Sequence, residues 1–130
     1  VELFHGYTYS GIPVSVAAAL AVQDIFEKEN IFKRAKEMSP YFLDGIFSLK
    51  DIDAVANIRG YGMMAGIDIK LKEKPGRAGY ECFKACYDAG INFKATGDCL
   101  IIAPQFICEK KHIDEIIEKL RTGISNYMKK

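Results

Sequence analysis

The 130-residue sequence has no marked excess of charge of either sign. It contains 18 basic and 17 acidic residues, for a net charge of +1, so its composition does not favour binding to nucleic acid or to an anionic membrane. No apolar run approaches the roughly 20 residues that span a bilayer, and no segment has the pattern of a secretory signal peptide. We therefore predict a cytoplasmic protein that has neither nucleic acid nor membrane among its partners.

Patterns that hold metals or form disulfides are also missing from the sequence. The two histidines, His5 and His112, have no paired-histidine spacing, and no two cysteines form a C-x-x-C motif. We therefore predict no metal site and no cysteine–histidine nucleophile pair. Because free cysteine is among the most buried residue types, we expect buried thiols at the four cysteines, which are Cys82, Cys86, Cys99 and Cys108.

The first half of the chain has the periodicity of two helices. Residues 13–29 are apolar on nearly every side, which is typical of a helix buried on more than one side. We expect one side to pack on the rest of the domain and the other on a partner or on protein outside this chain. A second helix is predicted for residues 30–48, with a kink or break near Pro40 because proline lacks the amide donor.

The second half mixes short strands with two further helices. Residues 54–61 and 63–72 flank Gly62 and predict an antiparallel hairpin. Helix 77–88, strands 91–95 and 99–103, and an amphipathic helix from about residue 110 follow. The order predicts a single α+β domain over residues 1–130, with a small antiparallel sheet of about three or four strands, helices mainly on one face, and a long N-terminal helix.

A loop rich in glycine and hydroxyl groups precedes the first helix. Residues 4–13 include Thr8 and Ser10 between two glycines, and Pro13 suits the first helical turn. The amides at a helix start are unpaired and lie at the positive end of the helix dipole, so the loop has the chemistry to hold an anion such as phosphate. The alternative is an ordinary turn with capping residues.

Five motifs occur in an order and spacing that resemble a known family. They are H-G-Y-T-Y-S-G-x-P with the following V-x-V-A-A-A-L-A, R-G-x-G-x-M-A-G-I (59–67), A-T-G-D (95–98), I-A-P (102–104) and H-I-D-E-I-I-E-K-L (112–120). Together they resemble the C-terminal small domain of class III aminotransferases, which are pyridoxal-phosphate enzymes of fold type I. The closest likeness is to the omega-amino-acid:pyruvate branch. The resemblance covers essentially the whole chain and implies the same α+β architecture.

The resemblance implies specific roles for three residues. Thr8 would bind the cofactor phosphate of the neighbouring subunit, and Tyr7 would contribute a backbone N–H to it. Lys94 stands where many members have an arginine that binds the substrate carboxylate; lysine keeps the charge but not the two-pronged contact. Ile12 stands where the family usually has histidine. No residue of the chain is predicted to be catalytic.

The resemblance also implies what lies beyond this chain. A large cofactor-binding domain, which carries the catalytic lysine, would precede residues 1–12 (the phosphate loop), 13–48 (helices) and 54–130 (the α+β layer). The complete homodimeric enzyme would move an amino group from an amine or omega-amino acid to a keto acid such as pyruvate, and the present chain alone would be inactive. The alternative is a free-standing α+β ligand-binding or regulatory module, because such layers host many functions.

The remaining charged residues give no acid–base pair in the sequence. Arg59 follows a predicted strand, and we expect it to form a structural ion pair. The carboxylates of Asp51, Asp53, Asp68 and Asp98 are scattered over turns and strands.

Overall fold

The computed structural model of the chain describes residues 6–70 and 74–129. Its helices and strands, in chain order, are α1 (Pro13–Lys28), α2 (Ile31–Phe47), β1 (Val55–Tyr61), β2 (Met64–Ile69), α3 (Ala78–Asp88), β3 (Lys94–Thr96), β4 (Cys99–Ile102) and α4 (Lys110–Lys129). One turn of 3-10 helix, Ser48–Asp51, follows α2. No helix in the described part of the chain is long and apolar enough to cross a membrane.

The chain divides into two compact units, Val1–Phe32 and Lys33–Lys130. In the first unit, α1 starts at Pro13, as predicted, and ends near a stack of Phe26 on Phe32 with ring centroids 4.9 Å apart. None of the α1 residues is buried, although the sequence predicts a helix that is buried on more than one side. Leu20, for example, is 63% exposed.

The second unit is built on a four-stranded sheet in the order β1-β2-β4-β3, with every neighbouring pair antiparallel. The predicted hairpin is present: β1 and β2 pair from Tyr61 and Met64 outward. Gly62 supports this tight connection with a φ of 59°, a left-handed conformation that glycine adopts at little cost.

One face of the sheet is buried and the other is open. The buried side chains alternate along the strands, as a half-covered sheet requires, and include Ile58, Ala65, Ile67, Ile69, Leu100 and Ile102. Helix α3 packs on β2, β3 and β4, and α4 packs on α3. The sequence therefore predicted the α+β class and the one-sided helical layer correctly.

The break that the sequence predicts near Pro40 is absent, because α2 runs without interruption from Ile31 to Phe47. Proline removes one backbone donor, but the turns that follow are fixed by tertiary packing. Phe42 and Ile46 are completely buried in the core, about half a turn and nearly two turns beyond Pro40. Burial of these side chains outweighs the local cost of the proline.

The strand predicted for residues 91–95 forms later and is shorter, at Lys94–Thr96. Ile91 instead closes the end of α3, because its N–H donates to the Cys86 carbonyl at 3.1 Å. Phe93 packs edge-on against Phe83 of α3, with ring centroids 5.4 Å apart. Ile91 and Phe93 therefore cap and pack against α3, and the strand begins only after them.

The cysteine prediction is correct for two of the four residues. Cys82 and Cys86 are fully buried in α3, but Cys99 and Cys108 are partly exposed. The hydrogen bond with Cys86 and the burial of the site raise the pKa of the Cys82 thiol. Cys86 lies close against α4: a Cβ placed on Gly123 would lie 2.5 Å from the Cys86 Cα.

Candidate functional site

The glycine-bracketed loop ends directly on the start of α1. Ser10 donates its N–H to the Tyr7 carbonyl at 3.2 Å, and Gly11 has a left-handed φ of 78°. Ile12 occupies the N-cap position without a side-chain cap, and the first turn of α1 has no acidic residue. The first amides of α1 therefore keep their donor capacity, at the positive end of the helix dipole.

Tyr7, Thr8 and Ser10 are all exposed in this loop, and Tyr7 is 72% exposed. The Thr8 and Ser10 hydroxyls and the uncapped amides of α1 are donors of the kind that bind a phosphate group. In donor chemistry, the residues present fit the phosphate of the pyridoxal cofactor that the family resemblance implies. His5, the other polar residue of the motif, lies outside the described residues.

Lys94 is the first residue of β3, at the edge of the sheet in the second unit. It pairs with Ile101, which pairs with Gly66, and Gly66 pairs with Arg59. Directly paired residues in adjacent strands share a face, so this row crosses the open face of the sheet. Lys94 and Arg59 lie at the two ends of this row. Their backbones are roughly 14 Å apart, because three inter-strand spacings of about 4.8 Å separate them.

The two cations of this row have different surroundings. Arg59 donates to the Asp68 carboxylate and, at 3.3 Å, to the Cys99 sulfur. Lys94 is exposed and forms no ion pair with the acidic side chains that the structure describes. The structural ion pair expected for Arg59 is therefore confirmed, and Lys94 is the cation of this row that keeps its charge available to an anion.

The Arg59 cluster has shifted pKa values with clear causes. Partial burial acts to raise the pKa of Asp68, but the hydrogen bonds from Arg59 and Cys99 outweigh it and leave that pKa below its usual value. Burial, together with the Asp68 carboxylate, raises the pKa of the Cys99 thiol against the opposing charge of Arg59. Cys99 is therefore a neutral thiol at physiological pH, which does not suit a nucleophile.

A cavity of about 760 Å³ opens over the same face of the sheet. Arg59, Thr96 and Ile101 are among the side chains that line it. Since Arg59 is already paired with Asp68, the cavity offers mainly apolar surface and hydroxyl or backbone groups. No group of His, Cys, Asp or Glu side chains in the described ranges is arranged to hold a metal ion.

Sequence reasoning missed the role of Asp98, which lies in the turn between β3 and β4. Its carboxylate accepts hydrogen bonds from the N–H groups of Gly76 and Ala78, at the start of α3. Arg77, the N-cap residue of α3, makes no side-chain cap. Asp98 therefore caps this helix from 20 residues away, a separation that local capping rules do not cover.

His112 also has a role that the sequence did not reveal. Its Nδ1 accepts a hydrogen bond from the Glu109 N–H at 3.1 Å, at the start of α4. The spacing of three residues matches that of a capping box, with histidine in place of glutamate or glutamine. His112 is thus part of a helix cap.

The sequence of the chain matches a known family along nearly its full length. A family profile described as Aminotransferase class-III matches residues 1–124. An omega-aminotransferase of Caulobacter vibrioides is 38% identical over 122 residues, which cover 93% of this chain and 28% of that protein. A putrescine–pyruvate aminotransferase of Pseudomonas aeruginosa is 35% identical over 128 residues, which cover 92% of this chain and 28% of that protein.

Solved structures share the fold as well as the sequence. A thermostable omega transaminase from Pseudomonas jessenii, solved as a 6-fold mutant, matches with a TM-score of 0.86 and 26% identity. The match covers 96% of this chain and 29% of that one. An adenosylmethionine-8-amino-7-oxononanoate aminotransferase from Methanocaldococcus jannaschii matches with a TM-score of 0.83 and 30% identity, over 96% of this chain and 30% of that one.

The chain thus spans 28% of the length of the two relatives compared by sequence. The family profile nonetheless covers residues 1–124, and structural relatives cover 96% of the chain. These matches confirm the resemblance seen in the motifs, and the chain belongs to the class III aminotransferase family.

Proposed function

We propose that this chain is the C-terminal small domain of a pyridoxal-phosphate enzyme that moves an amino group from an amine or omega-amino acid to a keto acid such as pyruvate. The observation that carries the proposal is the 38% identity to an omega-aminotransferase over 93% of the chain. Two further relatives, a putrescine–pyruvate and a beta-alanine–pyruvate aminotransferase, support an amine or omega-amino-acid donor and pyruvate as acceptor.

The loop before α1 would hold the cofactor phosphate. In the proposal, Thr8 donates its hydroxyl to a phosphate oxygen and Tyr7 donates its backbone N–H, both to the cofactor of the neighbouring subunit. The exposure of Thr8 and the uncapped start of α1 support this role. A hydrogen bond to a charged phosphate contributes about 1.5–3 kcal/mol. Bound pyridoxal phosphate supplies the electron sink that amino-group transfer needs.

Lys94 would bind the carboxylate of the substrate. Its exposed position at the start of an edge strand, without an acidic partner among the described residues, supports this role. An ammonium attracts a carboxylate as a point charge but does not form the planar double contact of a guanidinium. We therefore expect substrate preferences that differ from those of arginine-bearing members.

The remaining parts of the proposed enzyme would lie outside residues 1–130. The cofactor domain with the catalytic lysine and a second, identical subunit would be the partners of this domain, and the complete enzyme would be cytoplasmic. Residues 1–130 would act as one domain of it. The 130-residue chain alone is expected to have no transaminase activity.

Kinetics of the complete enzyme test the role of Lys94. We expect Lys94→Arg to change the relative kcat/KM for several amino donors and keto acids, because the second prong of the contact is restored. Lys50→Arg, at an exposed site in the 3-10 turn, serves as the matched control and should change nothing. Identical donor and acceptor preferences in Lys94→Arg and the wild type would refute the role. Transaminase activity of the pure 130-residue chain would refute the expectation that this domain is inactive without the cofactor domain.

A further inference from the structure

The strand that carries Lys94 has little support of its own. β3 is three residues long and lies at the edge of the sheet, where it pairs with β4 alone. A strand this short is held by few ladder hydrogen bonds. The position of Lys94 therefore depends on whatever fixes the β3–β4 hairpin.

Asp98 ties the turn of this hairpin to two other elements. Its two carboxylate oxygens accept from the Gly76 N–H at 2.9 and 2.8 Å, and one of them accepts from the Ala78 N–H at 2.9 Å. Its backbone carbonyl accepts from the Ile69 N–H at 2.9 Å, at the end of β2. One residue thus connects the hairpin turn with the start of α3 and with the central strand β2.

The start of α3 and the hairpin turn are in direct contact. A Cβ placed on Gly79 would lie 2.5 Å from the Gly97 carbonyl oxygen and 3.1 Å from the Cys99 backbone nitrogen. No larger residue fits this position without a shift of the backbone, so the capping geometry and the close approach reinforce each other. The negative carboxylate of Asp98 also lies at the positive end of the α3 dipole.

We infer that Asp98 is the positioning residue for Lys94: its cap on α3 fixes the β3–β4 hairpin and so sets where the ammonium meets the substrate carboxylate. The inference rests on the proposed role of Lys94. Within the described residues, the hydrogen bonds of the Asp98 carboxylate go to the segment where α3 starts, so this residue acts through the hairpin and does not contact substrate. A substitution that weakens the Asp98 cap should therefore raise KM for the substrate and leave kcat nearly unchanged.

Two measurements on the complete enzyme test this inference. Asp98→Asn removes the charge but keeps one oxygen acceptor, and Asp98→Ala removes the cap entirely. In Asp98→Asn we expect KM for the keto acid to rise about tenfold, the equivalent of one charged hydrogen bond, with kcat nearly unchanged. We also expect faster hydrogen exchange in the segment 91–103, followed by mass spectrometry. Asp53→Asn, an exposed aspartate that pairs with Lys70, is the control and should change neither quantity.

Lys94→Ala and the double variant with Asp98→Asn separate the inference from the proposed function. If Asp98 acts through Lys94, its substitution adds nothing to KM once Lys94 is alanine. A rise of KM in Lys94→Ala with a normal KM and normal exchange in Asp98→Asn would overturn the inference and leave the role of Lys94 intact. A normal KM in Lys94→Ala would overturn both. If Asp98→Ala fails to fold, the milder Asp98→Asn still decides the result.

Discussion

The guanidinium of Arg59 donates to the carboxylate of Asp68, nine residues further along the chain, across the open face of the sheet. The Arg59 side chain passes close to Gly66: a Cβ placed there would be 3.3 Å from the Arg59 Cζ and 3.2 Å from the Cys99 sulfur. Glycine at this position thus lets the ion pair cross from β1 to β2. The pair links the first hairpin independently of its turn.

The Arg59–Asp68 pair makes stability depend on pH in a defined direction. The folded state lowers the pKa of Asp68, so the pair stabilises the fold above the unfolded pKa of about 4 and loses this effect as pH falls through the lower folded value. We expect Asp68→Asn to lower the urea midpoint of the chain at pH 7 but to have a smaller effect at pH 3. Asp24→Asn in α1 is the control. An equal effect of Asp68→Asn at both pH values would contradict this prediction.

The contact between Gly123 and Cys86 predicts a costly substitution. Gly123→Ala would place a methyl group 2.5 Å from the Cys86 Cα, against a backbone that cannot swing aside. We expect a loss of about 1–3 kcal/mol in the free energy of unfolding, measured by urea denaturation. The matched variant is Gly45→Ala, also inside a helix, whose methyl group would meet only side-chain atoms of Ile117, the Cγ1 at 2.9 Å and the Cδ1 at 3.2 Å.

Alanine at position 45 gains helix propensity of about 1 kcal/mol relative to glycine. Gly123 lies inside α4 and gains the same propensity, so the difference between the two variants reflects crowding alone. Because the Ile117 side chain can shift and the Cys86 backbone cannot, Gly45→Ala should lower the free energy of unfolding much less than Gly123→Ala. Equal losses of unfolding free energy in the two variants would contradict the prediction that the rigid backbone contact between α3 and α4 makes Gly123→Ala the more costly change.

Thr8 provides a prediction for cofactor affinity in the complete enzyme. Thr8→Ala removes the hydroxyl donor, and we expect the Kd for pyridoxal phosphate to rise about 10- to 100-fold, measured by equilibrium dialysis. Tyr7→Phe is the control, since its proposed contribution is the backbone N–H, which the substitution keeps. An unchanged Kd in Thr8→Ala would rule out the proposed phosphate contact.

The sequence allowed the elements with strong periodicity to be predicted. Helix α4 follows from apolar residues spaced by three and four positions, and Ile113, Leu120 and Ile124 are indeed buried. The first hairpin follows from alternation about Gly62. Local patterns determine such elements because one side of each is buried along its whole length.

Features that depend on distant residues were not predictable from local patterns. The cap from Asp98 joins groups 20 residues apart, and the partner of Arg59 lies nine residues away across a hairpin. The continuity of α2 through Pro40 depends on the burial of Phe42, which propensity does not include. The roles of Tyr7, Thr8 and Lys94 were predicted from family motifs. They stay predictions because the cofactor and the substrate that these residues would contact are not part of this chain.

The cap on α3 also has a consequence for how the chain folds. The carboxylate that caps the first turn of α3 belongs to Asp98, which follows Ala78 by 20 residues in the sequence. An 11-residue helix is marginal by itself in water, so its first turn gains this support only once β3 and β4 have paired. We therefore expect α3 and the β3–β4 hairpin to become protected from hydrogen exchange together during refolding, as one cooperative unit.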